Sequence, residues 1–196
     1  MAAELGLPFI DSGILYRAVA LTALQCGADT STAPAELLVR LADDLRLELL
    51  PDRLAIDGVE VGPGLYAPEV SEAASRVAEQ PHVRAALLPQ LRRLARSGVV
   101  MAGRDIGTVV LPQARHKFFL NASVEERVRR RQLQQHGRGL RPDAAALRRE
   151  IEERDRRDRE RSTSPLRAAN DAQVLNTDQL DLDQVVSSIL SSVRRG

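Results

Sequence analysis

Several features are scarce in this sequence, and each scarcity excludes a class of protein. Cys26 is the only cysteine, so the chain cannot form an internal disulfide or a multi-cysteine metal site. The longest apolar runs, such as residues 98–102, are far too short to cross a bilayer. Residues 1–6 lack the basic and apolar segments of a signal peptide. We therefore expect a cytoplasmic protein with no membrane segment.

The sequence also lacks a large excess of positive or negative charge, since it has 28 basic and 27 acidic residues. This balance argues against a protein that binds polyanions over its whole surface. Lysine is nearly absent: Lys117 is the only one, and every other cationic side chain is an arginine. A GC-rich genome explains much of that bias. Arginine nevertheless has a planar fork that suits carboxylates and phosphates better than the ammonium of lysine does.

The sequence alternates short apolar segments with helical ones, a pattern typical of an α/β fold with a parallel sheet. The length of 196 residues suits one large domain or a core that carries an insert. Ser123 and Glu126 have the spacing of a capping box and predict the start of a helix. Other helices are predicted at residues 14–25 and 181–194. Strands are predicted at residues 7–10, 98–102 (buried), 116–120 and 173–175.

A different pattern lies between the first two predicted strands. Residues 45–49 alternate between apolar and polar side chains, Pro51-Asp52 predicts a turn, and Asp57-Gly58 predicts a tight hairpin. These signals indicate a small antiparallel unit with flanking helices. We therefore expect an insert over residues 29–90, in a core made of residues 1–28 and 91–196.

Two polar motifs directly follow predicted strands, where ligands of open α/β sheets bind. Asp11-Ser12-Gly13 supplies a hydroxyl and backbone N–H groups, and Arg17 follows one turn later, which suits an anion. In Gly103-Arg104-Asp105-Ile106-Gly107-Thr108, the arginine suits a phosphate and the aspartate suits an amino group. A capped helix and a turn with a local ion pair are the structural alternatives.

A third feature is the arginine-rich stretch of residues 127–161, with 13 arginines against 7 acidic residues and so a local net charge of +6. Arg154, Asp158 and Arg161 share one helix face, although the spacing alone favours a solvated, salt-bridged helix. Gly137, Gly139 and Pro142 predict a mobile loop over residues 134–142, so the stretch suits a lid that closes over a polyphosphate. A basic patch for RNA is the alternative, but aromatic residues make up only 3% of the chain.

Taken together and in order, these residues resemble the bacterial cytidylate kinase family of nucleoside monophosphate kinases. Each motif is weak alone, but the ordered set is specific and covers essentially the whole chain. The matching segments are D-S-G-I-L-Y-R (11–17), S-E-A-A-S-R-V-A (71–78), P-H-V-R (81–84), G-R-D-I-G-T-V-V-L-P (103–112), A-S-V-E-E-R (122–127), E-R-D-R-R-D-R (153–159), Arg161 and S-P-L (164–166).

The resemblance implies an α/β fold: a parallel-sheet P-loop kinase core, an inserted monophosphate-binding domain, and an arginine-rich lid over about residues 127–142. It also implies phosphorylation of CMP and dCMP to the diphosphates, with ATP as donor and Mg²⁺ as the companion ion. The implied partners are CMP, dCMP and ATP, without nucleic acid or membrane, and the expected state is a monomer. The CMP phosphate oxygen attacks directly, so no covalent nucleophile is needed.

Site residues follow from the resemblance position by position. The CMP phosphate is expected to be held by Ser12, Arg17, Arg104 and Arg161. The cytosine edge is expected to be read by Ser75, Arg84 and Asp105. Arg154 and Asp158 are expected to hold the ribose, and the lid arginines Arg130 and Arg131 to face the transferred phosphoryl group. The catalytic set implied is Arg104, Arg130, Arg131 and Arg161, and no protein metal site is implied.

One departure from the family pattern concerns ATP. The family begins with a strand and the loop G-x-x-x-x-G-K-[ST], and neither occurs here, because Lys117 follows His116 inside a predicted strand. The residues that hold ATP are therefore not assigned. We expect an N-terminally short form of the enzyme, impaired in ATP binding. The alternatives are a noncatalytic nucleotide-binding module, an arginine-rich RNA-binding protein, and another small-molecule kinase.

Overall fold

The protein is described from a computed structural model, which covers residues 1–49, 54–137 and 139–195. The chain forms two compact units, residues 2–106 and residues 107–196. Among the described residues, no helix combines the length and the apolar character that a membrane crossing needs.

The first unit contains five strands and four helices among its described residues. Short 3-10 turns precede β1 and α3, at Ala3–Leu5 and Pro63–Tyr66. The strands are β1 Phe9–Asp11, β2 Leu47–Leu49, β3 Leu54–Ile56, β4 Val59–Glu60 and β5 Val100–Ala102. The helices are α1 Gly13–Gln25, α2 Ala35–Asp44, α3 Pro68–Val77 and α4 Pro81–Leu94.

The second unit contains the arginine-rich stretch. A π-helical turn, Ile106–Val110, leads into it. Its strands are β6 Phe118–Asn121 and β7 Gln173–Asn176. Its helices are α5 Val124–His136, α6 Ala144–Glu160 and α7 Leu182–Arg195.

Strands β1 and β5 pair in parallel, with Phe9 opposite Val100 and Asp11 opposite Ala102. One further bond extends the ladder, because the backbone N–H of Ser12 donates to the carbonyl of Ala102 at 2.9 Å. Parallel strands have their carboxyl ends at the same edge. The loops that follow β1 and β5, which carry the two polar motifs, therefore lie at the same edge of the strand pair.

Strands β6 and β7 form the second parallel pair, from Phe118 opposite Gln173 to Asn121 opposite Asn176. The backbone N–H of Thr177 donates to the carbonyl of Asn121 at 2.8 Å and adds one rung beyond β7. The four strands predicted for the parallel sheet are therefore all present, and they form two parallel pairs.

The antiparallel unit predicted inside the insert is also present. Leu47 of β2 lies opposite Ile56 of β3, and β3 pairs with β4. Asp57 and Gly58 join β3 to β4 with φ of 52° and 75°, the left-handed geometry of a tight hairpin turn. The turn predicted at Pro51-Asp52 lies outside the described residues. The boundaries of the insert, residues 29–90, stay a prediction.

Helix α1 is the centre of the first unit, packed against α2 and α3. Its sequence is apolar around most of its circumference, and Leu15 and Val19 are fully buried. Full burial of such a side chain stabilises the fold by about 1.5–3 kcal/mol. Other large side chains buried in this core are Ile10, Leu38, Val70, Val77, Val83, Leu87 and Leu91. The buried α1 gives the loop before it and the arginine on it a rigid base.

The expectation that residues 98–102 form a buried strand is wrong. The residues of β5 are half-buried or exposed, and on its partner β1 the side chain of Phe9 is 57% exposed. Each of these strands pairs with one neighbour only within the described sheet, so one edge of each strand has no strand beside it. An apolar run predicts a strand, but its neighbours decide how far it is buried.

Candidate active site

The turn between β1 and α1 places a buried hydroxyl beside the loop that follows β5. Ser12 is 4% exposed and occupies the N-cap position of α1. Its backbone is already helical, with φ −60° and ψ −22°, and its side chain makes no capping hydrogen bond. Asp11 Oδ1 accepts from the backbone N–H of Gly13 at 2.9 Å and stabilises the turn instead. Helix capping therefore does not explain why position 12 carries a hydroxyl, because the hydroxyl takes no part in capping α1.

Position 103 must be a glycine because Ser12 leaves no room there for a β-carbon. A β-carbon at position 103 would collide with the Ser12 Oγ and would lie 2.8 Å from Cδ1 of Ile106. A glycine at the start of the motif Gly103–Thr108 allows the backbone to approach a ligand closely. The structure gives another reason for it, which is to leave room for the serine hydroxyl.

Arg17 projects from α1 to the beginning of α3. Its Nη1 donates to Ser71 Oγ at 2.7 Å and to the carbonyl of Leu65 at 3.1 Å. Its guanidinium carbon lies 5.3 Å from the centre of the Tyr66 ring, within cation–π range. The helix that holds this arginine also carries the predicted base-reading Ser75, which is half-buried.

Arg84 and Asp105 form a buried ion pair, with exposed fractions of 7% and 5%. Nη2 of Arg84 donates to Oδ2 of Asp105, and Nη1 donates to the carbonyl of Ala78 at 3.1 Å. The guanidinium lies over the ring of Tyr16, 5.3 Å from its centre. Loss of either charge leaves the other buried without its partner, which is strongly destabilising. The pair was predicted as two separate base-reading residues, and the structure brings them into direct contact.

The Nε–H of Arg84 completes this picture. It is buried and has no hydrogen-bond partner among the described residues. Buried donors in folded proteins nearly always have a partner, whether protein, water or ligand. Arg104, next to Asp105, is exposed instead. In the loop after β5, the side chain of Asp105 thus points inward to Arg84, whereas that of the preceding residue, Arg104, is exposed.

In the second unit, α5 and α6 pack against each other and are joined by ion pairs. Arg127 donates to both carboxylate oxygens of the buried Asp155, at 2.9 and 2.6 Å. This hydrogen-bonded carboxylate raises the pKa of Arg127 further above its usual value. Arg148 pairs with Glu125 at 2.8 Å on the same two helices. Sequence reasoning missed the Arg127–Asp155 pair, because no local spacing connects residues 28 positions apart.

The start of α5 differs in one respect from the predicted capping box. Ser123 Oγ accepts from the backbone N–H of Glu126 at 3.2 Å, as predicted. The reciprocal bond is made by another residue, because the Ser123 N–H donates to Asp178 Oδ1 at 2.6 Å. Glu126 instead accepts from Arg129 and Arg130, both at 2.7 Å. The hydrogen bond from Arg129 is the main cause that lowers the pKa of Glu126 to about 2.

The two predicted lid arginines have different surroundings. Arg130 donates to Glu126, to Thr177 Oγ1 at 3.1 Å and to the carbonyl oxygen of Thr177. Thr177 is itself buried at the end of β7. Arg131, in contrast, donates to Gln134 of its own helix at 2.8 Å. Arg130 therefore ties α5 to the segment after β7, a contact that the sequence did not predict.

The predicted ribose and phosphate residues lie at the end of α6. Asp158 is buried, Arg154 is exposed, and Arg161 is the residue that ends the helix. Nη1 of Arg161 lies 3.5 Å from Oδ1 of Asp158, and its Nε donates to the carbonyl of Ser164 at 2.5 Å. The backbone N–H of Leu166 donates to the carbonyl of Asp158 at 2.7 Å. The Ser-Pro-Leu segment thus folds back onto the helix end and fixes Arg161.

The segment between α5 and α6 corresponds to the loop predicted over residues 134–142, except that residues 134–136 still belong to α5. Asp143 caps α6 by accepting from the backbone N–H groups of Ala145 and Ala146, at 3.0 and 3.2 Å. Gly139 has φ 77°, which favours glycine, whereas Arg138 lies outside the described residues. The predicted lid over about residues 127–142 therefore comprises most of α5 and this loop, and its movement stays a prediction.

The family model for cytidylate kinase matches residues 1–195. The chain belongs to the cytidylate kinase family. It is 45% identical over 194 residues to a cytidylate kinase of Exiguobacterium sibiricum, covering 96% of this chain and 86% of that protein. It is 43% identical to a cytidylate kinase of Vibrio cholerae serotype O1, covering 98% and 87%, and 44% identical to one of Granulibacter bethesdensis, covering 100% and 88%.

Membership of the cytidylate kinase family confirms the predicted resemblance, the α/β kinase fold class and the assignment to the phosphotransferases. The comparisons give no support to a noncatalytic binding module or to an RNA-binding protein. They give none to the expectation of impaired ATP binding either. The individual site residues rest on the geometry described above and on the resemblance of their motifs.

Proposed function

We propose that this chain phosphorylates CMP, with ATP as the phosphate donor. The observation that carries the proposal is the buried Arg84–Asp105 pair, whose Nε donor lacks a partner among the described residues. Burial of an ion pair is costly, and the Nε–H of Arg84, unpartnered in the described part of the chain, adds to that cost unless a ligand accepts from it. In this family a nucleobase is the ligand that needs both the donor and the acceptor of the pair.

The chemistry of the pair suits cytosine. The base offers an amino donor at N4 and acceptors at N3 and O2. Asp105 can accept from the amino group, while Arg84 donates to the ring acceptors, and the Ser75 hydroxyl can do either. Uracil has a carbonyl in place of the amino group, so Asp105 would face a second acceptor. An unpaired buried acceptor costs about 1–3 kcal/mol, which favours CMP over UMP.

The phosphate of CMP needs positive charge and oriented donors more than covalent chemistry. In the first unit, the Ser12 hydroxyl and the N-terminus of α1 supply donors, and Arg17 and Arg104 supply charge. In the second unit, we assign Arg161 to the phosphate as well, and Arg154 with Asp158 to the ribose. The fixed position of Arg161 beside Asp158 supports that assignment. Arginine in these roles supplies bidentate hydrogen bonds as well as charge.

Phosphoryl transfer also requires charge neutralisation around the migrating group. We assign this role to Arg131 rather than to Arg130. Arg130 uses its donors on Glu126 and Thr177, whereas the hydrogen bond described for the guanidinium of Arg131 goes to Gln134, one turn away on its own helix. The catalytic set then comprises Arg104, Arg131 and Arg161, and Arg130 holds the helix that carries Arg131.

Mg²⁺ is proposed to arrive with ATP. Among the described residues, no group of three or more His, Cys, Asp or Glu side chains could hold a metal ion. Mg²⁺ in kinases is commonly bound by substrate phosphates and water with few protein ligands. When bound, it neutralises the charge of the phosphates. No residue of this chain is assigned as its ligand.

Calorimetric titration of the full chain tests the proposal. CMP is expected to bind, dCMP to bind as well, UMP to bind more weakly, and AMP not to bind. Phosphoryl transfer from ATP with Mg²⁺ to CMP is then followed by ³¹P NMR. A chain that releases no heat with CMP, or that binds AMP equally well, would contradict the proposal. Use of dCMP, a cytoplasmic location and a monomeric state stay predictions.

A matched pair of variants assigns the binding to the base-reading pair. Arg84→Lys keeps the positive charge but loses the fork, so it should weaken CMP at least about tenfold. Arg93→Ala removes an exposed arginine from the same helix, α4, and should leave CMP binding unchanged. Equal losses in the two variants would show that Arg84 does not contact the nucleotide. Melting temperatures of both variants, taken in parallel, report whether each has folded.

A further inference from the structure

The guanidinium of Arg17, a proposed phosphate-binding residue of the first unit, is held by hydrogen bonds to a side chain and to a backbone carbonyl. The residues that hold it lie 48 and 54 positions away along the chain. They belong to the turn Pro63–Tyr66 and to the first turns of α3. None of these residues has a role in the site as described so far.

Ser71 is oriented as an acceptor toward Arg17. Its own hydroxyl donates to the carbonyl of Ala67 at 3.0 Å, so the hydroxyl hydrogen points back along the helix. The oxygen lone pairs then face Arg17 Nη1, at 2.7 Å. A hydrogen bond from a charged donor to an oriented acceptor is stronger than a neutral one. The Ser71 hydroxyl therefore fixes one edge of the guanidinium.

The ring of Tyr66 supports the flat face of the same guanidinium. The ring lies beneath the guanidinium, 5.3 Å from centre to carbon, and is 42% exposed. The preceding residue, Leu65, is buried, and its carbonyl accepts the second hydrogen of Nη1 at 3.1 Å. An edge held by two oxygens and a face held by an aromatic ring leave the guanidinium little freedom to rotate. A long side chain that is free to rotate otherwise loses rotamer entropy when it binds a ligand.

The same helix carries Ser75, one turn after Ser71. Residues four apart lie on the same face of a helix, so the hydroxyl that holds Arg17 and the hydroxyl assigned to the base are fixed by one rigid element. Any displacement of α3 would move both together.

We propose that Ser71 and Tyr66 are positioning residues for Arg17, which hold its guanidinium in the orientation that receives the CMP phosphate. The proposal rests on the proposed function, since it takes Arg17 as a phosphate ligand. In this proposal, the beginning of α3 and the turn before it increase the affinity for phosphate only because they hold Arg17. The two residues therefore affect the binding of a nucleoside monophosphate and leave the binding of a nucleoside, which has no phosphate, unchanged.

The test compares CMP with cytidine, which lacks the phosphate, by calorimetric titration of the full chain. Ser71→Ala should raise the Kd for CMP about fivefold, in line with one charged hydrogen bond, and leave the Kd for cytidine unchanged. Ser71→Thr keeps the hydroxyl and should restore CMP binding. Ser31→Ala is the matched control and should affect neither ligand, because the Ser31 hydroxyl is exposed and donates to Asp29, two residues away.

A double-mutant cycle isolates the route through Arg17. In the Arg17→Ala background, Ser71→Ala should have no further effect on the Kd for CMP. Tyr66→Leu should weaken CMP, and Tyr66→Phe should not, because the phenyl ring keeps the aromatic face. An additive effect of Ser71→Ala on Arg17→Ala would overturn the proposal, as would an equal loss of CMP and cytidine binding.

Failure of the inference and failure of the proposed function give different results. An unsubstituted chain that binds no CMP refutes the proposed function, and this inference with it. A chain that binds CMP normally and is unaffected by Ser71→Ala refutes the inference alone. Tighter CMP binding by Ser71→Ala would also overturn it, because the contact would then hold Arg17 away from the phosphate.

Discussion

The Ser12 hydroxyl occupies the space that a β-carbon at position 103 would need. This contact joins the turn after β1 to the loop after β5, at the edge where their parallel strands end. The loop carries Arg104 and Asp105, so the packing of a hydroxyl against a glycine sets the position of two proposed CMP ligands.

Gly103→Ala is therefore expected to damage the site more than the fold. The added methyl group must displace Ser12 Oγ or the Ile106 side chain, and both belong to the packing around the loop. We expect about 1–3 kcal/mol of destabilisation and a loss of CMP affinity of at least about tenfold. Chemical denaturation and titration with CMP measure the two effects. Gly62→Ala, where a β-carbon meets nothing within 4 Å, is the control.

Asp105→Asn should relax the preference for the base. The amide keeps the size of the side chain but can donate to the O4 carbonyl of uracil, which the carboxylate cannot. The ratio of the Kd values for UMP and CMP is expected to fall. The melting temperature should fall as well, since the buried Arg84 charge loses its counter-charge. Asp44→Asn, an exposed change in α2, should alter neither value, and an unchanged UMP-to-CMP ratio in Asp105→Asn would speak against base reading by Asp105.

Arg130 and Arg131 are adjacent, and their substitutions should have opposite signatures. Arg130→Ala removes the hydrogen bonds to Thr177 and should lower the free energy of unfolding by about 1–2 kcal/mol. Arg131→Ala should leave the melting temperature near that of the unsubstituted chain and slow phosphoryl transfer from ATP to CMP. Thermal unfolding and ³¹P NMR separate the two outcomes. A larger loss of melting temperature in Arg131→Ala would reverse the assignment.

The Glu126 carboxylate predicts a specific pH dependence. Hydrogen bonds from Arg129 and Arg130 lower its pKa to about 2 in the folded chain, below its ordinary value of 4.5. A lowered pKa stabilises the fold above the unfolded value, and this contribution disappears as the pH falls through the folded value. Glu126→Gln should therefore be less stable than the unsubstituted chain at pH 7. The difference between the two should shrink between about pH 4.5 and pH 2.

Chemical denaturation at several pH values measures this difference. Glu150→Gln, on the exposed surface of α6, is a matched control whose stability difference should stay small and constant. A difference for Glu126→Gln that persists unchanged at pH 2 would show that the Glu126 carboxylate does not hold Arg129 and Arg130.

The strands and helices follow largely from short-range patterns. The apolar segments at residues 7–10, 98–102, 116–120 and 173–175 became strands within a few residues of the predicted limits. The Asp57-Gly58 hairpin formed because its left-handed φ angles are favoured at those residue types. Such features depend on neighbours two to four positions apart, and that information is present in a single sequence. The ordered motifs likewise indicated the cytidylate kinase family.

The contacts that define the candidate site depend on residues far apart in the chain. Arg17 reaches Ser71 across 54 positions, and Arg130 reaches Thr177 across 47. No periodicity connects such residues, so the sequence could not separate the anchoring Arg130 from the neighbouring Arg131. The same holds for the charge-rich α6, which the spacing alone described as a solvated face. Asp155 and Asp158 of that helix are buried.

The sequence by itself determined the fold class, the positions of most elements and the family, because local patterns and ordered motifs encode them. Only the tertiary structure decided which partner each charged side chain has. It placed Arg84 against Asp105, Arg17 against Ser71 and Tyr66, and Ser12 in the space left by Gly103. The physical reason is that an arginine can pair with any carboxylate or carbonyl within reach, and packing of the helices and strands determines which of them is in reach.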